Sequence, residues 1–349
     1  MKILIELNHP KHYYQFKYVM RILKDNGHSI KVVARNKDIL LSLLDEECVE
    51  YEIFGVHRKS VVAKVLATFS VVLTYLKIFN EFKPDVVVSK ASFYSSFIAR
   101  IKGIRSIIFP DSEVVTVTNR IVVPLATKVV TPETFELNFG SKHIKVPGLF
   151  ENCYLHPTVF EPDALVIQSL KVPYAIVRFI GWTANHDIGK SGFTLKEKIK
   201  IVEKIAEKFT VYISSETELP IELVDYELKT PKSAIHSVLC GAHLYVGDSQ
   251  TMATEAALLG TPAIRSNSFV GENDMSNFKM LEKRFGLLRN VPLNGNIYSF
   301  IDELSVDGVK ENWMNKRLNY FFSVGNTNNL IAEIITKTPI INTDSSKLH

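Results

Sequence analysis

The residues able to do chemistry gather in a few short runs. The densest is Val246-Gly247-Asp248-Ser249-Gln250-Thr251-Met252-Ala253-Thr254-Glu255, closed by Gly260-Thr261-Pro262. An apolar stretch leads into small and hydroxyl residues and then into a helical run of Ala, Met and Leu. A strand, turn and helix of this kind leaves the first helix amides unbonded, and the aligned peptide dipoles add partial positive charge there. That combination holds phosphates. Ser249, Gln250 and Thr251 would supply the amides and side-chain donors. Glu255 follows Thr251 by four residues and shares its helix face, where a carboxylate can accept hydrogen bonds from a ribose diol. A diphosphate grip beside a ribose acceptor is the chemistry of a sugar-nucleotide site. Capping by Asp248 or Ser249, with Gly260 and Pro262 ending the helix, explains part of the same pattern and stands as the alternative.

Other runs offer complementary groups. Asn8-His9-Pro10-Lys11-His12 follows the first apolar run. Imidazoles titrate near neutrality, so His12 or His9 is a candidate base for an acceptor hydroxyl; a turn with a solvated or capping histidine is the alternative. Asp111, in Pro110-Asp111-Ser112-Glu113, can orient an imidazole, bind acceptor hydroxyls or cap a helix. Arg178 lies late in an apolar run, where its planar fork would match diphosphate oxygens or meet a carboxylate such as Asp187. His186 and, after the next strand, Ser214 and Glu216 join it as substrate-binding candidates. His236 reads as structural. Walker, complete GxGxxG, GxSxG and HExxH patterns are absent, as is the Asp-x-Asp pair that holds a metal-bound diphosphate. The expectation is a site with no metal ligands, in which helix amides and arginine offset leaving-group charge.

The elements that must position these groups alternate between strand and helix. Ile3–Leu7, Ile30–Ala34, Val86–Val88, Ser106–Phe109 and Lys128–Val130 read as strands. Tyr13, Phe16, Met20 and Leu23 recur at helical spacing up to Gly27. The second half repeats the design with strands at Tyr174–Phe179, Thr210–Ile213, Leu244–Val246 and Ala263–Arg265 and a helix over Thr194–Lys208. Residues 310–337 read as helical. The fold class is α/β, with two Rossmann-like, doubly wound parallel-sheet domains facing across a cleft. Proline and glycine density over 147–165 marks the hinge. The expected domains are 1–155 on the acceptor side, 156–337 on the nucleotide-sugar side, and a frayed tail over 338–349.

Bulk properties narrow the partners. The 349 residues suffice for two cores, and the +4 formal charge is too weak to argue for nucleic acid. Cys48, Cys153 and Cys240 form no CxxC pair, which fits a reducing cytoplasm. Val61–Phe79 is the longest apolar region, interrupted by Lys64 and Lys77. It reads as a packed helix, with peripheral membrane contact as the alternative. The expected location is cytoplasmic, with membrane association where that contact is made.

The opening Ile-Glu-Leu-Asn-His-Pro-Lys-His, the Arg178–Asp187 segment, Ile213-Ser214-Ser215-Glu216 and Gly247–Arg265 together resemble an archaeal and bacterial family of unknown function. Pro110-Asp111-Ser112-Glu113 and the Pro147–Pro162 run share the resemblance. That family is similar in architecture to glycosyltransferase-B (GT-B) proteins, including non-hydrolysing UDP-N-acetylglucosamine 2-epimerases. The resemblance implies a sugar nucleotide, UDP-linked, held mainly by the C-terminal domain, and an acceptor-activating histidine at His12. In the epimerases an Asp-Ser-Gly-Gly turn precedes paired glutamates; here Gln250-Thr251 replaces the glycines and Glu255 stands alone. The expected function is therefore a metal-independent glycosyltransferase of surface glycan or polysaccharide synthesis, with a glycan or lipid-linked acceptor and no cofactor beyond its sugar-nucleotide substrate. A sugar-nucleotide epimerase and a non-catalytic binding protein are the alternatives.

Overall fold

The computed structural model describes residues 1–55, 61–113, 116–180, 192–215, 217–272 and 274–337. Two compact units emerge, Met1–Tyr154 together with the chain from Asn326 on, and Leu155–Gly325.

The first unit is built on a seven-stranded sheet. Its strands are β1 (Lys2–Leu7), β2 (Ser29–Ala34), β3 (Tyr51–Ile53), β4 (Val86–Ser89), β5 (Arg105–Ile108), β6 (Lys128–Pro132) and β7 (His143–Val146). All paired neighbours are parallel, in the order β3-β2-β1-β4-β5-β6-β7. Continuous burial of Ile3–Leu7 and Val86–Ser89 follows from helices covering both faces of such a sheet. The order reverses between β1 and β4, and ligands bind at that kind of switch point, beyond the strand C-termini.

The second unit carries a five-stranded parallel sheet ordered β12-β11-β10-β8-β9. Its strands are β8 (Tyr174–Phe179), β9 (Thr210–Ser215), β10 (Leu244–Gly247), β11 (Ala263–Arg265) and β12 (Arg289–Asn290). Its switch point lies between β10 and β8. Helix Leu195–Ala206 starts at a capping box, in which Thr194 and Glu197 exchange side-chain-to-backbone bonds.

The alternation read from sequence holds, and β3, β7 and β12 are additions. Those three are short edge strands whose burial comes from tertiary packing, so their sequences show little of the period-2 or all-apolar signal. The 310–337 stretch is also revised. Gly325, at φ 67°, breaks it into helices Val309–Val324 and Asn328–Lys337. The second of these packs on helix Pro10–Asp25 within the first unit, so the expected second domain of 156–337 loses its last helix to the other unit. The Val61–Phe79 region forms helix Val61–Phe82, with Val71, Tyr75, Ile78 and Phe79 buried in the first unit's core. Among the described residues, no helix is long and apolar enough to cross a membrane.

Candidate functional site

In the first unit the C-terminal edge around the switch point collects a polar cluster. Helix Pro10–Asp25 begins directly after β1, with Pro10 in its first turn and His9 as N-cap, the ring Nδ1 accepting the Lys11 amide at 3.1 Å. His12 lies one turn in. Its Nδ1 accepts the Asn8 backbone N–H at 3.1 Å, and the Asn8 side-chain amide donates to the fully buried Glu6 at 2.8 Å. A ring nitrogen that accepts an N–H carries no proton, so neutral His12 holds its hydrogen on Nε2. The imidazole is also kept neutral: burial first, then the nearby Lys90, lower its pKa well below the ordinary histidine value. The expectation of a general base at His12 therefore meets an occupied lone pair, and the ring presents an Nε2–H donor. His9 has the same arrangement at Nδ1, with Nε2 3.6 Å from Asp38.

Asp111, three residues past β5, faces the same edge. Its Oδ2 lies 3.1 Å from Lys90 Nζ and 3.4 Å from Lys11 Nζ. Burial alone would raise the Asp111 pKa, but Lys90 first and then Lys11 outweigh it and hold the carboxyl far below the usual range. Lys11 also pairs with Glu151 at 2.9 Å. Lys90 is the element that sequence reasoning missed. It follows the buried Val86–Ser89 strand, donates to Gln15 at 2.8 Å and sits 4.3 Å above the Phe150 ring. Burial lowers its pKa, with Asp111 opposing. The next residue, Ala91, has φ 61°, a left-handed conformation costly for a residue with a Cβ. The only sequence signal was a lysine set directly against the end of a Val-Val-Val-Ser strand, which composition alone assigns to surface.

In the second unit the end of each strand contributes to one row. Ser214, Arg178, Gly247, Arg265 and Asn290 are register partners across β9, β8, β10, β11 and β12. Arg178 donates to Ser214 Oγ at 2.8 Å. Gly247 separates the two arginines, and a Cβ there would lie 2.5 Å from the Tyr245 hydroxyl and 2.8 Å from the Arg178 carbonyl. Arg265 is fully buried; it pairs with Asp274, donates to Asn290 at 2.9 Å and stacks on Phe278 at 3.5 Å.

The motif around Asp248 divides into structural and available groups. Asp248 is fully buried, accepts the Ile180 amide at 2.9 Å, and its carbonyl accepts from Asn267 at 2.8 Å. It ties the β8 and β10 ends together. Ser249 caps helix Gln250–Leu258 by accepting the Met252 amide. No acceptor meets the Gln250 and Thr251 amides among the described residues, so the helix start retains the two donors that an anion needs. Glu255 is buried, with Oε1 3.2 Å from His236 Nε2. The carboxylate assigned to a ribose thus has a protein partner on helix Ile235–Gly241, a tertiary pairing invisible in sequence. His186 and Glu216, with Asp187, lie outside the described residues. Among the described residues, no three His, Cys, Asp or Glu side chains converge as metal ligands.

Comparison with known proteins bears on the fold. No curated protein matches the sequence. The chain is similar in structure to UDP-GlcNAc 2-epimerase from Neisseria meningitidis bound to UDP-GlcNAc, with TM-score 0.64, 14% identity, and 95% of this chain and 99% of that one covered. It is similar to UDP-GlcNAc 2-epimerase from Methanocaldococcus jannaschii, with TM-score 0.63, 13% identity, and 92% and 100% covered. The spinosyn rhamnosyltransferase SpnG, complexed with spinosyn aglycone, aligns with TM-score 0.60, 11% identity, and 96% and 100% covered. At these identities the likeness shows the fold, a two-domain Rossmann-like GT-B architecture. Residues 1–148, which hold β1 to β7 and all of the first cluster except Phe150 and Glu151, match the family described as protein of unknown function DUF354.

Proposed function

We propose that this protein is a metal-independent glycosyltransferase that takes its sugar from a UDP-linked donor and passes it to a glycan or lipid-linked acceptor in surface polysaccharide synthesis. The observation that carries the reading is the start of helix Gln250–Leu258. Two of its amides meet no acceptor among the described residues, and the helix follows β10, whose Gly247 is the register partner of Arg178, at the switch point of the second sheet. The solved structures similar to this chain include proteins bound to UDP-GlcNAc and to an aglycone, which supports a donor and an acceptor.

In this reading each unit supplies its own groups. The Gln250 and Thr251 amides and Arg178 hold the diphosphate and stabilise it as the glycosidic bond breaks. Asp111, kept anionic by two lysines, takes the hydrogen bond of the acceptor hydroxyl and orients it, and the hydroxyl proton leaves to solvent as the new glycosidic bond forms. His12 gives its Nε2–H to the same oxygen and fixes its position. Glu255 reaches the ribose from its contact with His236. Thermal-shift measurements on the full chain with UDP, TDP, GDP, ADP and their sugar conjugates test the reading. A UDP-sugar present at about a hundred times its Kd should add about 2.7 kcal/mol, and Arg178→Ala should abolish the gain. Absence of a shift with every nucleotide sugar refutes it.

A second reading, sugar-nucleotide epimerisation, draws on the fold shared with two 2-epimerases. Incubation with UDP-GlcNAc alone in deuterated water separates the two: an epimerase gives a deuterated product without acceptor, a transferase does not.

A further inference from the structure

Helix Phe93–Ile101 of the first unit presents an apolar stripe outward. Phe93 is 43% exposed, Phe97 40% and Ile101 68%, and with Arg100 they recur at i, i+4, i+7 and i+8, one face of the helix. The Phe93 and Phe97 rings stack at 5.4 Å and 15°. The neighbouring helix Thr116–Val122 adds exposed Ile121 and Arg120, and helix Val61–Phe82 also packs against Phe93–Ile101, with Leu73 exposed. Exposed aromatics in a continuous stripe mark an interaction surface.

The charge around the stripe identifies the partner. From Val86 to Pro132 the sequence carries Lys90, Arg100, Lys102, Arg105, Arg120 and Lys128 against Asp111 and Glu113, and both acids lie beyond β5. Among the described residues, Arg100, Lys102, Arg120 and Lys142 pair with no carboxylate. Lys102 donates to Asn80 and Lys142 to the Pro124 carbonyl. Arg100 and Lys142 are close enough that the arginine helps burial to lower the lysine's pKa. Aromatic and aliphatic side chains bordered by unneutralised cations complement a bilayer surface rich in anionic headgroups, into which the rings insert while the cations meet phosphates.

We propose that the face formed by Phe93, Phe97, Ile101 and Ile121, with Arg100, Arg120 and Lys142 at its border, docks the protein on an anionic membrane surface. The sequence read Val61–Phe79 as a packed helix with membrane contact as the alternative; the exposed side chains put that contact chiefly on the next helix. The proposal is independent of the sugar-nucleotide reading, because lipid docking needs no nucleotide.

Co-sedimentation of the full chain with vesicles of phosphatidylcholine containing phosphatidylglycerol, and with phosphatidylcholine alone, tests it. Binding should require the anionic lipid and weaken with added salt. Phe93→Ser with Phe97→Ser should reduce it at least tenfold, and Arg100→Gln or Arg120→Gln by roughly fivefold each. Ile101→Ser, at the most exposed position, gives a second apolar probe, with circular dichroism confirming that each variant is folded. Failure to sediment with anionic vesicles, or binding indifferent to these substitutions, overturns the proposal. So does sedimentation velocity showing a dimer that the Phe93 and Phe97 changes dissociate, since the face would then be covered by a second copy.

Discussion

The buried pair Arg265–Asp274 allows a quantitative test of how the second unit holds its strand ends. Arg265 has no solvent exposure and is held by Asp274, by Asn290 at 2.9 Å and by the Phe278 ring. Burial displaces both partners towards neutrality: it lowers Arg265 to about 10 against the pull of Asp274, and it raises Asp274 although Arg265 opposes. The two groups differ in what they can do when left alone. Arginine cannot shed its proton near neutral pH, whereas a buried carboxyl can take one up. Asp274→Ala therefore strands a cation and should cost about 3–5 kcal/mol. Arg265→Met leaves a carboxyl that protonates and keeps the Met275 amide as a donor at 2.9 Å; its cost should be about 2 kcal/mol, mainly the lost hydrogen bonds. The sign with pH follows. Without Arg265, Asp274 has a folded pKa above its unfolded value, so its penalty is full above the folded value and vanishes below the unfolded one. Relative to wild type, Arg265→Met should recover stability as pH falls below neutrality. The double variant with Asp274→Leu should be more stable than Asp274→Ala. Trp313 is buried in the second unit, so urea unfolding followed by its fluorescence reports on this unit. A cost below about 1 kcal/mol for Asp274→Ala, or a larger cost for Arg265→Met at neutral pH, would refute the reasoning.

Three further outcomes are expected. If His12 donates through Nε2, His12→Gln keeps an amide N–H near that position and retains part of the turnover that His12→Ala loses; equal loss in both restores the base. Because the folded pKa of His12 is lowered, acidification through the ordinary histidine value protonates only the unfolded form and removes stability. The stability of wild type relative to His12→Gln should fall with pH by at most about 1.4 kcal/mol per unit, and urea midpoints between pH 7 and pH 5, values chosen for the assay on the order of the histidine range, show whether it does. Asp248→Ala removes the acceptor of the Ile180 amide and should cost about 1.5–3 kcal/mol, whereas Asp248→Asn keeps an oxygen there and should cost less than half as much; equal melting temperatures for the two variants would contradict the role.

The alternation of apolar runs with helical spacing determined the α/β class and the strands that carry the site. Tyr174–Phe179 and Ala263–Arg265 coincide with β8 and β11, and the Thr194 cap of helix Leu195–Ala206 lies at the first residue of its expected span. Local chemistry dictates such features: a parallel strand covered on both faces is mostly apolar, and a helix start needs an acceptor for its amides. The sequence by itself also marked the helix start at Gln250–Thr251 and the loop holding His12 as candidate ligand contacts, because strand ends in doubly wound sheets are where ligands bind. Tertiary structure decided everything that depends on a distant partner. Lys90 joins Asp111 and Gln15, His236 meets Glu255, and Arg265 meets Asp274. It also decided which ring nitrogen of His12 holds the proton, since that follows from the direction of the Asn8 amide after β1. Residue type and spacing carry propensity and period, whereas pairing, tautomer and charge state follow from what the fold brings within hydrogen-bond distance and out of water.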